Sequence, residues 1–146
     1  MDWVDIGSIA TGVGVLIGVW QFRQNTKLSR AHYEDSFDQQ YRSLSMAIPV
    51  DALIGKPIEL EKKDEVRELV YNYLDLCNEQ VYLRSRKRIT KLTWRDWSAG
   101  IRDHLNRPAF NEVWTEVKKE APGTFSFLEK LENTGFNIDP ASRAFK

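Results

Sequence analysis

The side chains in this chain that could carry chemistry are two histidines, one thiol and a dense run of cations. His32 and His104 are the only histidines. A histidine metal site needs a thiol, carboxylate or second imidazole at ligand spacing. No H-x-x-x-H, H-E-x-x-H or C-x-x-C occurs, so no metal is expected. Asp103 and His104 are adjacent, and neighbouring side chains diverge on a helix. Cys77 falls on an apolar helical stripe and reads as a small buried hydrophobe, not as a nucleophile. Gly12-x-Gly14 is no dinucleotide fingerprint, because no strand precedes it. The run Arg84 to Lys91 (RSRKRITK) holds five cations in eight residues and no acid. Arg84, Arg86, Lys87, Arg88 and Lys91 could solvate a helix end, where cations are favoured. They could also meet anionic lipid or a partner, or nucleic-acid phosphates. Helix-end solvation is the leading expectation, lipid or partner contact the second, and nucleic acid the least expected.

The elements that must position these groups are written in composition and periodicity. The 146 residues allow one domain and an appendage. With 42% hydrophobic and 29% charged residues the chain is expected to fold. Its formal net charge of zero gives no global attraction to nucleic acid or acidic substrates. One cysteine excludes an internal disulfide framework and fits a reducing compartment.

The average conceals an uncharged run, Ile6 to Phe22, reading IGSIATGVGVLIGVWQF. At about 1.5 Å per residue it reaches roughly 25 Å, near the short end of a bilayer span. Trp3 and Trp20 bracket it, as indoles do at membrane interfaces. The acidic start at Asp2 and Asp5 argues against a cleavable signal peptide. The lack of a polar face argues against a surface amphipathic helix. A buried core helix remains the alternative to a transmembrane anchor. Arg23, Lys27 and Arg30 follow the run, so the positive-inside rule places the N-terminus outside and the bulk of the chain in the cytoplasm. Gly14 and Gly18 form a GxxxG step, and Ser8 and Gly12 a small-xxx-small step. Both put small residues on one helix face, and a homo-oligomer through that face competes with a monomeric anchor.

Downstream the periodicity is helical throughout, predicting an all-α fold: one transmembrane helix continuing into a stalk, then about four helices. The anchor is read over 1–22, the stalk over 23–48, the cytosolic helical domain over 49–135 and a flexible tail over 136–146. Pro49 ends the stalk. Asp64 opens a long helix to about Arg86, with Val66, Leu69, Val70, Tyr73, Leu74, Cys77 and Val81 on its apolar stripe. Thr93 is expected to cap a helix carrying Trp94, Trp97, Ile101 and Leu105. Pro108 opens another with Phe110, Val113, Trp114 and Val117. Thr124 is expected to cap a last one that stops near Gly135. The aromatics read as core packing rather than as a ligand pocket.

The exit Trp20-Gln21-Phe22-Arg23-Gln24, the stretch from Asn78-Glu79 through Ile89, Trp94, Trp97 and Gly100-Ile101, and Pro108-Ala109-Phe110 with Trp114 together resemble an uncharacterised bacterial family. That family is a domain of unknown function, made of small proteins with an N-terminal membrane helix and a helical cytosolic domain. The resemblance implies a single-pass protein of the bacterial inner membrane and carries no activity, cofactor or catalytic residue. The expected function is therefore a membrane-anchored helical interaction or regulatory module with an unknown protein partner. A membrane-active effector assembling through its glycine-containing helix is the alternative, and an enzyme of unknown class is the least supported.

Overall fold

The computed structural model describes the backbone of residues 3–145 and the side chains of residues 17–145. Every regular element among the described residues is helical. In chain order they are α1 (Trp3–Ala47), α2 (Val50–Leu53), α3 (Lys63–Ser85), α4 (Lys91–Leu105), α5 (Pro108–Glu120) and α6 (Ser126–Asn133), with 3-10 turns at Leu60–Lys62 and Arg143–Phe145. The chain divides into two compact units, residues 1–32 and 33–146.

In the first unit, the described part of α1 exposes its apolar side chains: Trp20 is 61% and Phe22 73% exposed, and Ile17, Val19 and Leu28 lie open as well. Thr26 donates its hydroxyl to the Phe22 carbonyl at 2.9 Å, a local bond within the helix. A side chain added at Gly18 would meet nothing within 4 Å. Among the described residues no helix is long and apolar enough to cross a membrane. Most of the uncharged run, including Trp3, Ser8, Gly12 and Gly14, lies outside the residues whose side chains are described.

The second unit is organised around α3. Its apolar positions recur every three or four residues, and Val66, Val70, Tyr73, Leu74, Cys77 and Val81 are all buried. This stripe packs against α5 and α6, and α4 packs on α5. Phe110 and Trp114 from α5 and Leu128 from α6 are fully enclosed. Replacing a buried aromatic of this kind by alanine costs about 3–5 kcal/mol. The expected stalk is not uniform. From Tyr33 onward α1 belongs to this unit, and Phe37 and Ile48 are part of its core.

Helix ends explain three departures from the sequence reading. The cap of α4 is Thr90, not Thr93: its Oγ1 accepts the Thr93 N–H at 3.3 Å. Glu34 of α1 completes the end, accepting the Thr90 N–H at 2.7 Å and the Thr93 hydroxyl at 2.8 Å. A carboxylate there also suits the positive end of the helix dipole. Thr124 does not cap α6. The free N–H groups of Phe127 and Leu128 instead reach the Asn78 side-chain oxygen on α3, at 3.0 and 3.2 Å. The segment after Gly135 is not a loose tail, because Pro140 and Phe145 are buried and anchor it to the unit. Pro108 does occupy the first turn of α5, and Gly135, at φ +61°, ends α6 with Phe136 N–H bonded to Leu131 O.

Candidate functional site

The basic run of Arg84 to Lys91 begins on the last turn of α3 and passes through the turn into α4. That turn is a Schellman motif: Arg88 N–H bonds Leu83 O at 2.9 Å and Lys87 N–H bonds Arg84 O at 2.8 Å. Its left-handed position, φ +60°, is filled by Lys87, where glycine is usual. The motif rotates successive side chains into different environments, so the five cations do not form one surface.

Arg84 departs from the expected role of lipid or partner contact, because it faces inward and is only 8% exposed. Its Nε and Nη2 grip both oxygens of Asp139 at 2.8 and 2.5 Å, and Nη1 donates to the Ile89 carbonyl at 2.7 Å. Burial pushes the Asp139 carboxyl up. The Arg84 hydrogen bonds and the Ala141 N–H outweigh that and hold it below its ordinary value. The physical reason is phase. Residue 84 lies seven after Cys77 and three after Val81, on the buried stripe of α3.

The other four cations are exposed. Arg86 lies over the Tyr82 ring at 5.4 Å and Arg88 over the Tyr33 ring at 5.6 Å, with Arg88 Nη1 donating to the Tyr33 hydroxyl at 3.2 Å. Such stacking holds a guanidinium in place while leaving its edge open to an anion. Among the described residues none of Arg86, Lys87, Arg88 and Lys91 forms a salt bridge. All four remain open to solvent. Trp20, Arg23 and Lys27, expected at a membrane interface, are exposed on α1 in the other unit. Gly18 is the one member of the expected helix-association face with a described side-chain environment.

The conventional catalytic groups are occupied or shut away. Burial pushes the Cys77 thiol up to about 12, against a smaller lowering by the Tyr73 hydroxyl, so it is protonated at neutral pH. His104 is buried among Tyr41, Tyr73 and Phe110. Its Nδ1 lies 2.7 Å from the Gly100 carbonyl, and since a carbonyl only accepts, Nδ1 carries the proton. Burial lowers its pKa further than the Gly100 bond raises it. His32 is exposed on α1. Among the described residues no three His, Cys, Asp or Glu side chains gather as a metal would require.

Several residues that matter here carry no mark in the sequence. Glu34, Asn78 and Asp139 each bind a distant element through a single carboxylate or amide. Glu132 does the same, accepting the Trp114 indole N–H at 3.0 Å and the Lys118 ammonium at 2.7 Å. Among the described residues one enclosed polar atom, the Ser142 hydroxyl, has no hydrogen bond. No family model, curated protein or solved structure matches the chain.

Proposed function

We propose that the chain is a membrane-tethered interaction module of the bacterial inner membrane: residues 1–22 anchor it, and residues 33–146 form a self-sufficient helical domain on the cytoplasmic side that engages a protein partner. One observation carries this reading. The described residues just ahead of Arg23 expose Ile17, Val19, Trp20 and Phe22 to solvent, while the second unit buries its own core. Exposed apolar side chains in a row need a cover, and lipid is the cover that suits an uncharged run rimmed by indole and then by Arg23 and Lys27. The exposed cations Arg86, Lys87, Arg88 and Lys91 suit an anionic leaflet, each contributing about 1 kcal/mol when close to it. A catalytic role draws no support from Cys77 or His104. A second reading, assembly of a membrane-active effector through Ser8, Gly12, Gly14 and Gly18, is favoured only by the open space at Gly18.

Flotation tests the anchor. The full-length chain is expected to rise with vesicles through a density gradient and to resist extraction by alkaline carbonate. In spheroplasts, external protease should leave residues 33–146 intact. Recovery of the full chain in the high-speed supernatant without detergent would overturn the tether.

A further inference from the structure

A small cavity in the second unit joins three elements: Asp38 and Tyr41 from α1, Tyr73 and Gln80 from α3, and Asp96 and Trp97 from α4. Its volume is about 210 Å³. That is below the ~300–1,000 Å³ typical of drug-sized ligands, so it suits a compact head group. The walls are aromatic. Tyr41 and Tyr73 sit with ring centres 6.4 Å apart, and Trp97 is braced from behind by Phe37 at 5.9 Å. The Trp97 indole N–H donates to Asp38 Oδ1 at 3.2 Å, which fixes both the ring and the carboxylate. Two negative charges, Asp38 and Asp96, therefore border a pocket in which no Lys or Arg takes part. Asp96 also meets Arg95 at 3.1 Å, a solvent-exposed contact of small effect.

Gln80 gives the cavity an uncommitted polar group. It is only 5% exposed, lines this cavity, and makes no hydrogen bond among the described residues. Its amide is not among the enclosed unpaired polar atoms, so it opens onto the cavity and is free to meet what enters there. The nearby Gly100 carbonyl is already taken by His104. The acceptors left to an occupant are the two exposed carboxylates and the Gln80 oxygen, and Tyr41 and Trp97 are the rings with open area.

We propose that this cavity binds a small alkylated ammonium group, of the quaternary type carried by choline, and that Tyr41, Tyr73 and Trp97 form its aromatic cage. Ring faces attract a cation through their quadrupoles, most strongly when the cation is poorly hydrated. A methylated ammonium carries no strongly held water and so gives up little to lie against a ring face beside a carboxylate. Asp38 and Asp96 supply the compensating charge, and the Gln80 amide meets a hydroxyl or ether oxygen beside the cation. This site does not depend on the membrane tether.

The test uses the full-length chain in a maltoside detergent, which carries no ammonium group. Choline is titrated while the indole N–H signal of Trp97, assigned with Trp97→Phe, is followed by NMR. A saturable shift is expected, with the uncharged isostere 3,3-dimethylbutan-1-ol at least tenfold weaker. The double variant Asp38→Asn, Asp96→Asn should weaken choline at least tenfold. The amide that replaces the Asp38 carboxylate keeps an oxygen for the indole, so the geometry survives. Asp103→Asn, on α4 but outside the cavity, should change nothing. No saturable shift, equal binding of the isostere, or unaltered affinity in the double variant would each overturn the proposal. With choline binding in hand, a Trp97 signal that shifts between phosphatidylglycerol and phosphatidylcholine nanodiscs identifies a lipid head group as the source. A signal at the same place in both identifies a soluble ammonium compound.

Discussion

Helix α3 carries an arginine–carboxylate pair at each end, and the two differ in almost everything but chemistry. At its C-terminal end Arg84 holds Asp139, with the two side chains 10% and 30% exposed. Near its N-terminal end Arg67 holds Glu116 of α5, with both groups largely in water, at 59% and 42% exposed. Both are bidentate. In the first pair the arginine is also tied to a backbone carbonyl, so its charge is held largely away from solvent. In the second, water and salt can replace either partner. Burial, not pairing, decides what such a bridge does for the fold.

The largest effect should follow from breaking the buried pair. Arg84→Met leaves the Asp139 carboxylate facing an apolar side chain and frees the Ile89 carbonyl. Removing one member of a buried pair costs about 3–5 kcal/mol. Because Asp139 is partly open, the lower end applies, about 3 kcal/mol, or roughly a 10 °C fall in melting temperature for a domain of this size. The segment 136–145 should also become open to protease, since Asp139 is one of its fastenings. A melting temperature equal to that of the parent would show that Pro140 and Phe145 alone hold the segment down.

The same pair should leave its mark on the pH profile. The Asp139 carboxyl is held below the ordinary 3.8, so its contribution is complete above that value. The contribution is lost as pH falls through the depressed folded value, because only the unfolded chain takes up the proton at first. Asp139→Asn should therefore cost about 1.5 kcal/mol at neutral pH, the lower range for a charged hydrogen bond. The gap between parent and variant should close on acidification. His104 gives a separate window. Its pKa is lowered from 6.5 by burial, so stability declines as pH drops below that point, and Asp139→Asn should leave this step in place. Urea denaturation at a series of pH values separates the two.

The two pairs also mark what the sequence could reveal. The stripe of α3 is legible because Val66, Val70, Cys77 and Val81 repeat at helical spacing, and all of them are buried. That spacing reaches Arg84 and Gln80 as well, yet a run of five cations reads as charge rather than as phase. Helix phase alone turns Arg84 inward. Asp139 has no such signal, because nothing local links a residue in an irregular C-terminal segment to one 55 positions earlier. The same holds for Glu34 at the start of α4 and for Asn78 at the start of α6. Pro108 and Gly135 announce their helix ends because backbone geometry there is set by one residue. Thr90 and Thr93 are equally good caps by type, and only the Glu34 carboxylate, packed against the turn, chooses between them. The cavity has the same origin. Tyr41, Tyr73 and Trp97 each read as ordinary packing aromatics, and their convergence depends on three helices meeting.

The smallest effect should come from the exposed pair, and it is the sharpest check on the comparison. The Arg67 guanidinium holds the Glu116 carboxyl below its usual value through their hydrogen bonds, and Glu116 raises the arginine in turn. These shifts describe two groups that remain in water, where the attraction competes with hydration and with counter-ions. At roughly 0.15 M salt the screening length is about 8 Å, and an exposed bridge is further weakened by the entropy of holding two long side chains in one geometry. Arg67→Gln and Glu116→Gln should each melt within experimental error of the parent at that salt, and any difference should shrink as salt rises. A loss matching that of Arg84→Met would mean that the Arg67–Glu116 bridge clamps α3 to α5 as firmly as the core beneath it, and that exposure is the wrong measure of what an ion pair contributes here.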